Sequence, residues 1–160
     1  MKTISTLRMA VAAVLALSAA SANALTATDN MLVTAEVVAN CTISVTSLDF
    51  GDYDPIVVNL STHANSDATV TTTCTIGSSP MLTLGNGSNF NVNRRLVNGG
   101  SNFLNYGLYS DVARATAWTS VAATTPTGLP VDNTIFARLP AGQNKPVGAY
   151  TDTVVVTVTF

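Results

Sequence analysis

The sequence has little of what catalysis and metal binding usually require. It has one histidine and two cysteines among its 160 residues, and only 10% of its residues are charged. Catalytic sites are built from a nucleophile with its base, from paired carboxylates or from a set of metal ligands. The single histidine, His63, lies in the polar, loop-like stretch STHANSD, and the chain has no C-x-x-C pair and no G-x-S-x-G elbow. We therefore expect no enzyme activity, no cofactor and no metal.

Long apolar runs are also scarce, and the one that exists is at the start of the chain. The first 24 residues begin with Lys2 and Arg8, continue through an apolar stretch at Met9–Leu17 and end in Ala22–Ala24 with the pattern A-x-A. This order is typical of a secretory signal peptide. A membrane span needs roughly 20 apolar residues, more than this stretch provides. We expect residues 1–24 to be a signal peptide and the remainder to be secreted without insertion in a membrane.

Basic residues are few beyond that segment. Five remain against nine acidic residues, a net charge of about −4, and the five are scattered along the chain. Nucleic-acid binding usually depends on a clustered basic surface. We therefore expect no nucleic-acid partner.

The two cysteines, Cys41 and Cys74, are an even number in a chain expected to be exported, which favours a disulfide. Two buried free thiols are the alternative. A bridge would close a loop of more than thirty residues and would stabilise the fold by roughly 3–4 kcal/mol.

What the sequence does have is valine, threonine and turn residues. Apolar residues recur with a period of two, and Gly-, Pro- and Asn-rich stretches such as GDYDP, GNGSN and VNGGSN separate them. Several short strands with such turns predict a β-sandwich or barrel. The predicted strands are Met31–Val45, Ile56–Leu60, Ala68–Ile76, Met81–Leu84, Phe103–Ser110, Thr116–Thr119, Thr134–Leu139 and Ala149–Phe160.

The stretch Leu25–Asp49 contains neither glycine nor proline and alternates apolar with polar residues. Extended at about 3.3 Å per residue, residues 25–46 would span about 70 Å. A domain of this size has a diameter of about 35 Å. Either the chain bends within this stretch and crosses between two sheets, or its first part projects and needs a partner.

The last predicted strand has an apolar face made of Val154, Val156, Val158 and Phe160. Monomeric proteins blunt exposed strands with charge or proline, and Val154–Phe160 contains neither. The pattern thus predicts an unprotected amphipathic strand at each end of the mature chain.

Several stretches in this order are specific to one family. They are CTISVTSLDFGDYDP, VTTTCTIG, NYGLYSDVARATAW, ARLPAGQ and GAYTDTVVVTVTF. Together they resemble the spore coat protein U domain family, which includes subunits of archaic (Csu-type) chaperone–usher pili. The resemblance covers Val37–Phe160, and the residue after Trp118 departs from it, since Thr119 stands where relatives often have glycine.

The resemblance implies an incomplete immunoglobulin-like β-sandwich that lacks its last strand and leaves a groove beside the C-terminal strand. Residues 37–160 would be the pilin domain and residues 25–36 the N-terminal donor segment, with the strand itself at Leu25–Ala35. It further implies that one set of side chains enters a neighbour's groove and that another borders the chain's own groove. The first set is Leu25, Ala27, Met31, Val33 and Ala35, and the second is Val154, Val156, Val158 and Phe160. Asp29 interrupts the donor face.

The function implied is that of a structural pilin, polymerised by donor-strand exchange into a surface pilus for adhesion and biofilm formation. Its partners would be a periplasmic chaperone, an outer-membrane usher and neighbouring copies of the same subunit, and it would be secreted through the periplasm to the cell surface. Two alternatives stay open: a minor or tip subunit of such a pilus, and a self-contained secreted coat protein.

Overall fold

The computed structural model describes residues 24–160. The expected signal peptide, residues 1–24, lies outside the described residues except for its last position. The chain divides into two units, the first ending at Ala35 and the second comprising Glu36–Phe160. In the first unit, residues 24–35 contain no helix or strand, and all their side chains are exposed. Within residues 24–160, no helix is long and apolar enough to cross a membrane.

The second unit is built from antiparallel strands in two sheets. The larger sheet has the order β1-β2-β7-β5-β4, and the smaller has the order β6-β3-β8. The all-β fold expected from the sequence is therefore confirmed. The strands are β1 (Cys41–Val45), β2 (Ala64–Cys74), β3 (Met81–Leu84), β4 (Arg94–Asn98), β5 (Asn102–Tyr109), β6 (Ser120–Ala122), β7 (Val131–Leu139) and β8 (Val156–Thr159).

The core lies between the two sheets and follows from the period of two. Successive side chains of a strand point to opposite faces, so alternate residues of β2, β3, β5 and β7 are buried. Val70, Leu82 and Leu139 are its largest fully buried side chains. Trp118, which precedes β6, is also buried, and its Nε1 donates to the carbonyl oxygen of Leu82 at 3.4 Å. The indole thereby joins the core without leaving its polar atom unsatisfied.

The long first strand predicted at Met31–Val45 was wrong for its first ten residues. Strand structure begins only at Cys41, where β1 pairs with β2 in the register Cys41↔Cys74. Just before it, the backbone N–H of Asn40 donates to the Thr75 hydroxyl at 3.1 Å, and among the described residues no strand pairing precedes Cys41. Apolar alternation indicates which faces a strand would have, but a strand also requires a partner for its backbone.

The strand predicted at Ile56–Leu60 was also wrong, because this stretch is a turn. Oδ1 of Asp54 accepts hydrogen bonds from the N–H groups of Ile56 and Val57 at 2.9 and 3.1 Å. Asn59 closes the turn, since its N–H donates to the Asp54 carbonyl at 2.7 Å. These local bonds outweigh the β-propensity of the valines.

Strand β4 was not predicted, because its sequence RRLVN carries two arginines and no clear alternation. It pairs with β5 through a hairpin, with Leu96 opposite Leu104. The guanidinium of Arg95 lies 3.9 Å from the ring centre of Phe103, and its Nε donates to the Asn89 carbonyl at 2.9 Å. Arg94 likewise donates a hydrogen bond from its guanidinium to the Gly85 carbonyl at 2.8 Å. Because both arginines have partners nearby, their charge did not prevent strand formation.

Cys41 and Cys74 form a disulfide that joins the start of β1 to the end of β2. The bridge favoured by the cysteine count is therefore present. Among residues 24–160, β1 pairs with β2 alone and is an edge strand, so the disulfide holds the end of β1 at which the chain enters the sandwich.

Replacing both cysteines by alanine should lower the free energy of unfolding by about 3–4 kcal/mol, because the unfolded chain loses a cross-link between residues 33 apart. Urea denaturation of the variant and of the unchanged protein would measure this. The control is the unchanged protein with its disulfide reduced, which should lose a similar amount. A loss in the variant but none on reduction would contradict the entropic origin and point to packing at Cys74.

Candidate functional site

A groove of about 1120 Å³ opens along one side of the sandwich. Three chain segments form its sides: the first wall is Val45–Ile56, the second wall is Ala149–Val156, and Gln143–Gly148 leads into the second wall. The floor consists of apolar core side chains contributed by both sheets. They include Leu84, Leu96, Leu104, Leu108, Ile135 and Leu139.

The first wall continues from β1 without being a strand itself. It is attached to the larger sheet by the Ser66 hydroxyl, which donates to the Asp49 carbonyl, and by Thr46, whose N–H donates to the Thr69 carbonyl at 3.0 Å. Further along, the Tyr53 hydroxyl donates to the Pro140 carbonyl at 2.7 Å. These bonds fix the wall on its sheet side, and its other side faces the groove.

The second wall passes from one sheet to the other. At its start, Thr151 and Val97 of β4 exchange two backbone hydrogen bonds of 2.9 and 3.0 Å. At its end, the Val155 carbonyl accepts from the Gly85 N–H at 2.8 Å, and the chain continues into β8, which pairs with β3. Within the described residues β8 pairs with β3 alone and β1 with β2 alone, so both strands are sheet edges.

The side chains of the second wall and β8 alternate as the sequence pattern requires. Val154, Val156 and Val158 are half-buried and pack against the core, and Val155 between them is exposed. Val154 and Val156 line the groove. Val158 belongs to β8 and packs against the core but does not line the groove, and Phe160 is 52% exposed.

The side chains expected to act as donors lie in the first unit. Leu25, Met31 and Val33 are exposed, as are Ala27 and Ala35. Asp29 makes one local hydrogen bond, in which its Oδ1 accepts from the Asn30 N–H at 2.8 Å. None of its described residues, 24–35, is paired as a strand.

A polar cluster ties the second wall to the floor of the groove. Asp152 accepts hydrogen bonds from the Tyr106 hydroxyl at 2.7 Å and from the backbone and side-chain nitrogens of Asn89 at 3.1 and 3.0 Å. Burial, together with this carboxylate, raises the pKa of the Tyr106 phenol, so the hydroxyl stays a donor. Gly87 closes the cluster, because a Cβ at this position would collide with the Asp152 carboxylate.

Sequence reasoning did not single out Asp152, although a signal exists. Asp152 has the same parity as Val154, Val156 and Val158, so it is the one charged residue on the inward face of that strand pattern. A charge on an apolar face requires a buried partner. The first wall was missed for a different reason, because no local pattern distinguishes it from an ordinary loop.

The site has the geometry of a surface for binding an extended chain. Its floor is apolar, two sheet edges border it, and none of the described residues 24–160 form a cluster of three or more His, Cys, Asp or Glu suited to a metal ion. Fold and groove together define a β-sandwich whose core is open along one edge.

Comparison with known proteins agrees with this class. Residues 27–157 match the Spore Coat Protein U domain. The chain belongs to this family, as its motifs indicated.

Two relatives extend the comparison. The chain is 40% identical over 179 aligned residues to Protein U of Myxococcus xanthus, and the alignment covers 100% of both chains. It also resembles a chain in the crystal structure of the CsuC–CsuE chaperone–tip adhesion subunit pre-assembly complex from the archaic chaperone–usher Csu pili of Acinetobacter baumannii. That likeness has a TM-score of 0.58 at 21% identity and covers 78% of this chain and 40% of the other, so it supports the fold.

Replacing Asp152 by alanine should lower the free energy of unfolding by about 1–3 kcal/mol, because the buried Tyr106 hydroxyl loses its acceptor. Asp152→Asn should retain much of the stability, since the amide oxygen can still accept. The matched control is Asp132→Ala, which removes an exposed carboxylate bound to the Thr71 hydroxyl. Thermal unfolding followed by circular dichroism would rank the variants. Equal losses for the alanine variants at Asp152 and Asp132 would exclude a special role for the cluster.

Proposed function

We propose that this protein is a structural subunit of a chaperone–usher pilus and that it polymerises by donor-strand exchange. The observation that carries the proposal is the groove between the first wall and the second wall, where the core of the sandwich is open to solvent. An extended strand placed there would pair its backbone with the exposed edges and bury alternate side chains on the apolar floor.

The segment proposed to fill the groove is Leu25–Ala35 of another copy. Extended at about 3.3 Å per residue, its 11 residues span about 36 Å, against about 26 Å for the 8 residues Ala149–Val156 of the second wall, so the segment would continue beyond the groove along β8. Leu25, Ala27, Met31, Val33 and Ala35 have the parity required to enter from one face, and they are exposed. Asp29, on the same face, would occupy the least apolar point of the groove.

Because each copy both offers a segment and has a groove, the contact is head-to-tail and generates an open filament. A chaperone would cover the groove before assembly, and an outer-membrane usher would be the place of exchange. The resulting pilus would serve adhesion and biofilm formation at the cell surface. Family membership and the fold shared with the Csu complex support this reading.

The alternative is a self-contained secreted coat protein. It is supported by the description of the matched family, the Spore Coat Protein U domain, and by the 40% identity with Protein U. The open groove is the observation against it, since a self-contained sandwich covers its own core. A stable monomer produced without any assisting protein would favour this alternative.

A second copy of Leu25–Ala35 appended after Phe160 through a short Asn-Gly-containing linker should fold back as a hairpin partner of β8. We expect a monomer with a higher unfolding midpoint, since each apolar side chain that is fully buried contributes about 1.5–3 kcal/mol. Size-exclusion chromatography and thermal unfolding would measure both properties.

The matched controls differ only in the appended segment. Aspartates at the positions equivalent to Met31 and Val33 should abolish the gain, whereas aspartates at those equivalent to Asn30 and Thr34, on the other face, should retain it. Identical midpoints for all three tails would contradict insertion of this segment into the groove.

Deleting Leu25–Ala35 from the full chain should leave a protein that receives a strand but cannot provide one. Electron microscopy of material detached from producing cells should then show no filaments. Filaments of ordinary length from the deletion variant would contradict the proposal.

A further inference from the structure

The turn Pro55–Ser61 holds an unusual exposed apolar surface. Four of its side chains are large, aliphatic and between 60% and 73% exposed, and together they form what we call the apolar turn: Ile56, Val57, Val58 and Leu60. Contiguous apolar surface of this kind marks interaction sites more often than isolated exposed residues do.

The apolar turn is rigid. Asn59 is buried beneath it, where its side chain accepts from the Asp54 N–H at 3.0 Å and donates to the Thr62 carbonyl at 3.0 Å. The carbonyl of Asn59 also accepts from the Gly142 N–H at 2.8 Å. These hydrogen bonds hold the turn in one conformation, so the four side chains of the apolar turn remain exposed as a fixed surface.

Strand directions place the apolar turn at one particular end of the sandwich. β2 starts at Ala64, just after the turn, and runs to Cys74, so the turn and the disulfide lie at opposite ends. β8 pairs with β3 in the register Met81↔Thr159, and Met81 follows Cys74 by a short connection, so β8 runs toward the disulfide end. The groove lies toward the turn end, where Pro55 and Ile56 line it, and its lining reaches only as far as Val45, Ala68 and Val156 in the direction of the disulfide.

This direction determines what would emerge beside the turn in a filament. Antiparallel pairing is the more common and slightly more stable arrangement, so a strand inserted beside β8 would run toward the turn end. Its last residue, Ala35, would leave the groove there and be followed by Glu36, Val37 and Val38. Val37 and Val38 are 85% and 69% exposed in the single chain and have no secondary structure.

We propose that the apolar turn of each copy binds Val37 and Val38 of the next copy, forming a second contact between consecutive subunits outside the groove. This inference rests on the proposed function, which supplies the inserted strand. The contact joins two exposed aliphatic surfaces, and it is continuous with the groove through Ile56. Only Asn40 and Ala39 then separate the contact from the disulfide-anchored Cys41, so the joint between copies would have little freedom to bend.

Cross-linking tests the contact directly. Filaments of the Val38→Cys, Val57→Cys double variant, treated with a short bis-maleimide and boiled in SDS, should give a ladder of covalent multimers. The control is Val38→Cys with Val112→Cys, because Val112 is 72% exposed, as against 73% for Val57, and lies in the loop after β5. The native disulfide is intramolecular and gives no ladder.

The outcomes separate the inference from the function beneath it. A ladder for the first pair alone supports the contact. Filaments without a ladder, or with equal ladders for both pairs, overturn the contact and leave donor-strand exchange standing. If the unsubstituted chain forms no filaments, the proposed function fails and the contact fails with it.

A second variant avoids dependence on added cysteines. Val57→Ser should give filaments with a shorter persistence length in electron micrographs, whereas Val112→Ser should leave the persistence length unchanged. An unchanged persistence length in Val57→Ser filaments would overturn the contact. So would a Val57→Ser effect confined to recovery of the chaperone-bound subunit, since the turn would then bind the chaperone.

Discussion

The structure depends on one constraint: a sandwich core that its own strands, among the described residues, cover on only three sides. Along the fourth side, the floor of leucine and isoleucine side chains lies between a wall that is not a strand and a wall that ends in an edge strand. Apolar surface in water is costly in proportion to its area. An uncovered core therefore supplies the driving force for binding, and the backbone groups of the exposed edges determine the orientation of an inserted strand.

Two features keep such a groove from collapsing on itself. The Asp152 cluster holds the second wall to Tyr106 and to the loop around Asn89, so the wall cannot slide over the floor. On the opposite side, Tyr53 anchors the first wall to the loop at Pro140, and the Gln143 N–H donates to the same hydroxyl at 3.0 Å. Polar bonds at the rim thus preserve an apolar interior, because each would leave an unsatisfied group if the walls closed.

How far the sequence predicts this protein depends on the range of the interactions involved. Period-two alternation located β2, β3, β5 and β7, because alternate side chains of a strand indicate which of its faces is buried. It failed at Ile56–Leu60, where Asp54 and Asn59 decide the conformation, and at Met31–Asn40, which has no partner strand among residues 24–160. It also placed strands at Thr116–Thr119, just before β6, and from Ala149, although β8 begins only at Val156. The first wall could not be predicted, because it is defined by contacts to Ser66, Thr69 and Pro140, far away in sequence.

The disulfide acquires a mechanical meaning if copies are joined through their N-terminal segments. Tension along the filament would enter each domain at Asn40 and reach Cys41 next. An edge strand pulled from its end detaches one hydrogen bond at a time, like a zipper. The Cys41–Cys74 bond bypasses that route, because it passes the load covalently into β2, which is paired on both sides. The edge strand β1 would thus carry little of the load, and β2, which is hydrogen-bonded on both sides, would resist it by shear.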